Sequence, residues 1–347
     1  MDTTSGPSQH RQQTTLRDVA KLAGVSIATV SHYLSGYPYM RESTKARVKQ
    51  AIDQLGYVAN TSARNLKAGR THLITLSVTD LRQSYFAELA ERIIAAARYR
   101  GYSVLVESTG LNLQNELASI DSVRQQRTDG LIISPAILDT GNSSALDGNW
   151  PLVMLGAQPS PASAPYIHID NTQAAKEATT SLINAGCRRI AMIGGALTGP
   201  ISSRTTRAKG YCLALEEAGI ALDKRLIREV GDWNSLSGAR AIGDLFDLGI
   251  QPDGILAGND HLAFGVIRQL KDMGLRVPAD VRVIGFDNID EAQYSIPSLT
   301  SVDQNADNIA IRAVDSLIDQ INAGHRAPSA DIVMPHTIVY RASSPSV

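Results

Sequence analysis

Cysteine is nearly absent. The 347-residue chain holds two, Cys187 and Cys212, far apart and outside any CxxC or Cys/His spacing. A disulfide framework and a zinc site are therefore excluded, and both thiols are expected to be packed away as small apolar residues. No apolar run is long enough to cross a bilayer, so no membrane span or membrane partner is expected. Residues 1–13 are polar (Asp2, Ser5, Ser8, Gln9) and lack the apolar stretch of an export signal, which predicts a disordered leader on a cytoplasmic protein. Catalytic signatures are missing too. Gly194-Gly195-Ala196-Leu197-Thr198-Gly199 follows an apolar strand but lacks GxGxxG spacing, and there is no P-loop, HExxH or GxSxG pattern. The seven histidines, at 10, 32, 72, 168, 261, 325 and 336, are scattered; His168 and His261 fall where a cleft is expected, without an evident nucleophile or metal partner. No enzymatic activity, cofactor or metal is expected.

What is present is a split in charge. The length suits a small module joined to a large core, and 43% apolar with 19% charged residues is ordinary for a globular protein. The net charge of −1 conceals its distribution: ten Lys and Arg against four acids leave residues 1–70 at +6, while 23 basic and 30 acidic residues leave 71–347 at −7. A basic head on an acidic body is expected where one end meets phosphate and the other does not.

The head has helical spacing. Leu16, Val19, Ala20 and Ala23 mark one apolar face, opened by a Thr15/Asp18 capping box and stopped at Gly24. Val25 is an apolar plug, and Ser26 is an N-cap for a second helix, Ile27 to Leu34, with Val30 and Leu34 inward. Two short helices about a glycine turn predict a helix-turn-helix. A third helix, Ser43 to Leu55, carries Ala46, Val48, Ile52 and Leu55 as its predicted stripe and Gly56 as its C-cap. Residues 60–70 are short and weakly helical, and are expected to be disordered in isolation.

Leu16-Arg17-Asp18-Val19-Ala20, Gly24-Val25-Ser26-Ile27-Ala28-Thr29-Val30-Ser31, Gly56-Tyr57 and Ala63-Arg64-Asn65-Leu66-Lys67 together resemble the head and hinge of the lactose/galactose repressor (LacI/GalR) family, and the resemblance continues almost to the C-terminus. It implies a helix-turn-helix DNA-binding domain over 14–59, a hinge helix over 60–70 that folds only on operator DNA, and an effector-binding and dimerisation core over 71–347. It places Ile27, Ala28 and His32 at base edges of the major groove, with Thr29 and Ser31 on phosphates or bases. Ala63, Arg64, Leu66 and Lys67 would meet DNA from the hinge, Leu66 wedged into a central minor-groove step. Physical chemistry agrees: Ile27 and Ala28 can offer thymine methyls only apolar contact, one His32 nitrogen can reach guanine N7 or O6, and a wedged leucine kinks the duplex.

From residue 71 apolar strands alternate with helices. Strands are predicted at Leu73–Val78, Tyr102–Glu107, Gly130–Ser134, Leu152–Leu155, Arg189–Ile193, Gly254–Ala257, Val281–Phe286 and Asp331–Val339. Helical patterns at Tyr85–Arg100, Thr172–Ala185, Thr206–Ala218, Asp260–Met273 and Asp303–Ala323 fall between them. The expected fold is an all-α helix-turn-helix head plus an α/β two-lobed, periplasmic-binding-protein-like core with parallel sheets. Lobe 1 would take about 71–170 and a later return segment, lobe 2 about 171–300 and a C-terminal segment. Ligands of such sheets sit beyond the carboxyl ends of the strands. Those ends carry Asp, Asn and Arg suited to vicinal hydroxyls, and Trp233, one of two tryptophans, suited to a sugar face.

The family resemblance assigns Arg207, Trp233, Asn259 and Asp287 to an effector pocket, with Tyr85, Phe86, Ser134, Ser203 and Gln304 beside them. Asp260 is expected as the N-cap of its helix, Asp170 as a cap or interface residue, and Phe86 has a second reading as core. The expected function is a transcriptional repressor whose affinity for palindromic double-stranded operator DNA is controlled by a small effector, a carbohydrate being the expected class. Sugar, sugar phosphate and nucleoside all stay open. No leucine heptad follows the last strand, so a homodimer is expected rather than a tetramer. The core alone would also suit an exported solute receptor, against which the basic head argues.

Overall fold

Thr15 opens the first helix of the head as its sequence requires. In the computed structural model, which describes residues 14–57, 69–138, 144–156 and 164–346, its hydroxyl accepts from Asp18 N while Asp18 Oδ2 accepts from Thr15 N at 2.9 Å. Helix α1 (Leu16–Ala23) ends at Gly24, whose φ of 63° is the left-handed turn that glycine tolerates. Ser26 then caps α2 (Ile27–Leu34) by accepting from Thr29 N at 3.1 Å. Helix α3 (Glu42–Leu55) closes the bundle over a small core of Val19, Ala20, Ala23, Val30, Val48, Ala51 and Tyr57.

Ala46, predicted for the α3 stripe, is exposed. The buried face runs through Val48, Ala51, Ile52 and Leu55, and position 46 falls off that 3-4 spacing. The chain divides into two compact units, Met1–Arg70 and Thr71–Val347. The leader 1–13 and the hinge residues Ala63, Arg64, Leu66 and Lys67 lie outside the described residues.

The second unit holds two six-stranded sheets. The first combines β1 (Leu73–Val78), β2 (Ser103–Ser108), β3 (Leu131–Ile133), β4 (Leu152–Leu155), β5 (Pro165–Ile169) and a late strand, β11 (Ala330–Met334), in the order β11-β5-β4-β3-β1-β2. The second combines β6 (Ile190–Ile193), β7 (Ile227–Arg228), β8 (Gly254–Ala257), β9 (Arg282–Asp287), β10 (Thr300–Asp303) and β12 (Thr337–Val339), in the order β12-β10-β9-β8-β6-β7. Every pairing is parallel except β10 with β12. The pattern predicted as one strand over Asp331–Val339 is therefore two strands in different sheets, parted at Pro335-His336. Strands β5, β7 and β10 carry too few consecutive apolar residues to stand out in the sequence.

Helices α4 (Ser84–Tyr99) and α5 (Leu113–Arg124) belong to the first lobe, and α6 (Asn171–Asn184), α7 (Ser203–Glu217), α8 (Ser235–Asp247), α9 (Asp260–Asp272) and α10 (Glu291–Tyr294) to the second. Helix α11 (Ala306–Ala323) returns to the first lobe. There the buried Gln320 donates to Leu152 O at 3.1 Å and accepts from Leu152 N at 3.0 Å. The chain thus crosses between lobes at Asp170, after Asp303 and at Pro335.

Two helix pairs in the second lobe meet backbone to backbone. A Cβ on Gly210 of α7 would lie 2.1 Å from Thr172 O of α6, and one on Gly265 of α9 would lie 1.8 Å from Ser235 O of α8. Such contacts admit only glycine. Gly210→Ala and Gly265→Ala should each lose about 2–3 kcal/mol of unfolding free energy by overpacking. Gly243→Ala, whose nearest neighbour is the Gln269 side chain at 3.8 Å, should gain about 0.5–1 kcal/mol from helix propensity. Urea midpoints of the three variants check both signs.

Candidate functional site

On the head, α2 presents Ile27, Ala28, Ser31 and His32 outward, Ile27 being 45% exposed. Thr29 is half-buried, with its hydroxyl 2.9 Å from Ser26 Oγ, so part of its capacity serves the cap. His32 is not a bare helix residue. Tyr37 stacks on it with ring centroids 5.0 Å apart, and Tyr39 meets Tyr37 edge-on at 5.7 Å. Both tyrosines are exposed, Tyr39 by 84%, and widen the surface beside α2. Helical periodicity gives no signal for them, since they lie in the loop beyond Gly36.

In the core a cavity of about 560 Å³ opens between the lobes. Its walls include Tyr85, Phe86, Ser134, Ser203, Arg207, Trp233, Asp287 and Gln304, so eight of the nine predicted effector residues meet there. Asn259 does not. It is 1% exposed, its Oδ1 accepts from Leu262 N at 2.9 Å as the N-cap of α9, and its Nδ2 donates to Trp233 O at 3.2 Å. Asn259 thus takes the cap role expected of Asp260. Asp260 is buried instead, accepting from Ser301 Oγ at 2.6 Å and Ile289 N at 2.9 Å. Asp170 is a cap, accepting from Gln173 N. Phe86 both lines the cavity and packs on the core.

Arg207 sits at the centre. Its Nε donates to Asn171 Oδ1 at 2.8 Å, its Nη1 to Gly258 O, and its Nη2 lies 3.8 Å from Asp287 Oδ1. The guanidinium covers the Phe286 ring at 3.4 Å and lies 5.5 Å from the Trp233 ring. Asp287 also accepts from Gln304 Nε2 at 2.6 Å, and its φ of 109° is strained for a residue with a Cβ. Burial pushes the Asp287 carboxyl up to about 6, although Arg207 and Gln304 pull it back. Burial likewise pushes the Arg207 guanidinium down to about 10, opposed by Asp287. Desolvation, and next the charge of Asp287, hold Asp260 well above the usual carboxylate range.

Trp233 packs over Gly194 and Gly258, and its buried Nε1 finds no acceptor among the described residues. Glu116, fully buried, gathers Ala136 N and Leu138 N at 2.8 Å each and so fixes the turn beyond Ser134. His261 of lobe 2 meets Ser84 Oγ of lobe 1 at 3.2 Å across the cavity mouth. His168 lines the cavity, bonded to Asp331 at 2.6 Å and stacked on Tyr166 at 4.2 Å. Asn171 and His261 contribute to the cavity although neither stands at a strand end rich in apolar residues; their place follows from the lobe crossing and from the first turn of α9.

Residues 15–60 match the family described as bacterial regulatory proteins, lacI family, and residues 179–344 match a periplasmic binding protein-like domain. Catabolite control protein A of Priestia megaterium is 33% identical over 331 residues, covering 95% of this chain and 99% of its own. The lac repressor dimer bound to operator and the anti-inducer ONPF superposes with a TM-score of 0.84 at 26% identity, over 96% of this chain and 100% of the other. A CelR–cellobiose complex gives 0.70 at 29%, over 95% and 99%. The chain belongs to the lacI family of bacterial regulatory proteins. It is a DNA-binding transcriptional regulator built from a helix-turn-helix region and an effector-binding α/β core, and not an enzyme. Among the described residues of this lacI-family protein no helix is long and apolar enough to cross a membrane.

The buried carboxyl makes a signed prediction. With its folded-state value above that of the unfolded chain, Asp287 adds most to stability below about pH 4, and that contribution is lost as the pH rises through about 6. Asp287→Asn removes this titration. The variant's unfolding free energy should gain on wild type by about 2 kcal/mol between pH 4.5 and 7. Urea unfolding at both pH values measures this, and a difference that stays constant would place the titration elsewhere.

Proposed function

We propose that this lacI-family chain is a homodimeric, cytoplasmic repressor that reads a palindromic operator through α2 and the 60–70 hinge, and that a carbohydrate in the interlobe cavity sets its operator affinity. The observation that carries this is the meeting of Arg207, Asp287, Gln304, Ser134 and Trp233 in one cavity of the same chain that carries an exposed helix-turn-helix face. Ile27 and Ala28 offer apolar contact to thymine methyls, His32 reaches a guanine edge, and Thr29 and Ser31 hold phosphates or bases. Ala63, Arg64, Leu66 and Lys67 meet the minor groove and its phosphates from the hinge. Paired hydrogen bonds from Asp287, Gln304 and Ser134 suit vicinal hydroxyls, while Trp233 offers an indole face. The lac repressor bound to operator as a dimer and the CelR–cellobiose complex support the same assignment.

Control follows if closure of the lobes on effector and pairing of the hinges on DNA favour different states. The coupling is then the difference in effector affinity between those states. Selection of the full-length protein against random duplexes should enrich a palindrome with half-sites about one helical turn apart; recovery of no symmetric sequence would overturn operator reading by a paired head and hinge. Leu66→Ala should cut operator affinity by about tenfold or more through loss of the wedge, with the urea midpoint of the core unchanged. Arg64→Ala and Lys67→Ala should each lower the slope of log affinity against log salt by about 0.9 if each side chain displaces one counterion. An unchanged slope places that side chain off the backbone.

A further inference from the structure

The cavity is lined with charge, yet its cations are already engaged. Three arginines line it among the described residues, and no lysine does. Arg82 closes its Nε and Nη2 on both oxygens of Asp80 at 2.8–3.1 Å. Arg204 donates to Val230 O at 2.5 Å and Gly231 O at 2.6 Å and lies over the Trp233 ring. Arg207 is held by Asn171, Gly258 O and Asp287. Three aspartates on the walls, Asp80, Asp232 and Asp287, balance the three guanidinium groups. The two core stretches outside the described residues, 139–143 and 157–163, contain no Lys or Arg in their sequence.

Helix N-termini are the other usual anchor for anions. Several begin at the cavity wall; in four of them one N-terminal amide is taken by the chain's own acceptor, while α4 and α11 carry no side-chain cap. Asp170 accepts from Gln173 N, Thr205 Oγ1 from Ser202 N, Asn234 from Ser237 N and Asn259 from Leu262 N. A phosphate drawn to Arg207 would compete with the buried Asp287, and one drawn to the exposed Arg82 would compete with Asp80, with three carboxylates on the walls. Hydroxyl groups carry no such penalty. They can donate to Asp287 and Asp232 while the Arg207–Asp287 pair stays intact.

We infer that the cavity selects a neutral polyhydroxylated ligand and discriminates against phosphorylated or carboxylated sugars, an inference that rests on the assignment of this cavity to a carbohydrate effector. Calorimetric titration and thermal shift of the full-length protein at pH 7.5 test it with matched pairs. Glucose is set against glucose 6-phosphate, galactose against galactose 1-phosphate and cellobiose against cellobiose 6'-phosphate, with adenosine and inorganic phosphate as further probes. A neutral sugar should bind at least about tenfold more tightly than its phosphate, the scale of one charged hydrogen bond left unmade. A phosphorylated sugar that binds as tightly as its neutral partner overturns the discrimination and leaves the carbohydrate assignment standing. Binding of adenosine with no response to any sugar overturns the carbohydrate assignment itself.

A second arm needs no known effector. Asp287→Asn leaves Arg207 without its counter-charge, and Asp80→Asn releases Arg82 without touching the buried pair. Both variants should acquire a thermal stabilisation by inorganic phosphate that wild type lacks. Equal stabilisation of wild type, or none in either folded variant, contradicts the charge balance on which the inference stands.

Discussion

A buried guanidinium facing a buried carboxylate is the constraint around which the core is arranged. Taking Arg207 and Asp287 out of water costs several kcal/mol per ion after relaxation, and an ion pair at 3.8 Å recovers only part of that. The rest comes from neutral partners: Asn171 and Gly258 O for Arg207, and Gln304 for Asp287. Asn171 follows the first crossing between lobes, and Gln304 precedes the return to the first lobe. Two of the three partners that make this pair tolerable therefore belong to the segments about which the lobes are joined. A ligand that rearranges the pair acts on those segments directly.

Behind Asp287 the backbone is held in a conformation it would not choose. Asp287 and Asn288 have φ of 109° and 53°. Ser301 Oγ takes Asn288 N at 3.0 Å, and Asp260, fully buried, takes Ser301 Oγ and Ile289 N. Arg341, near the end of the chain, donates to Asn288 Oδ1 at 2.7 Å. Strain of this kind persists only where surrounding bonds over-determine it, and it gathers at binding sites. At the mouth, Ser84 Oγ reaches His261 and donates to Glu291 at 3.0 Å, while Glu88 accepts from Asp290 N at 2.9 Å. These polar contacts between lobes are few and near the surface, so closure is worth little by itself. A ligand spanning both walls can bias it, and couplings of about 1–3 kcal/mol are enough for regulation.

Much of this architecture is legible in the residues alone. The Thr15/Asp18 box, the left-handed Gly24 and the Ser26 cap are local, and local chemistry is written in neighbouring residues. The strand-helix alternation names both lobes because β1, β3, β4, β6, β8 and β9 are buried on both faces and read as apolar runs. Arg207, Trp233 and Asp287 stand out through the family pattern and through their position after strands. What escapes depends on contacts distant in sequence. Asn259 and Asp260 are adjacent and chemically alike, and only the packing of Ile289 and Ser301 against α9 decides which caps and which is buried. The Pro335 break reads as strand because no local signal shows that β11 and β12 join different sheets. Ala46 fits an apolar count but not the turn angle of α3, and Tyr37 and Tyr39 lie where no periodicity applies.

The division of charge along the chain gives the two binding functions opposite electrostatic demands. The first 70 residues carry +6 and suit a polyanion, whereas residues 71–347 carry −7. A cavity with an available cation would attract small anions of many kinds. Pairing the buried Arg207 with Asp287 lowers that competition, since a solute gains by entering when it brings as many hydrogen bonds as it displaces. The same acidity opposes association of the core with nucleic-acid phosphate, although screening over about 8 Å at physiological ionic strength confines the effect to close approach. Operator affinity is then left to the basic head, and the state of the cavity can change it without the core itself competing for the duplex.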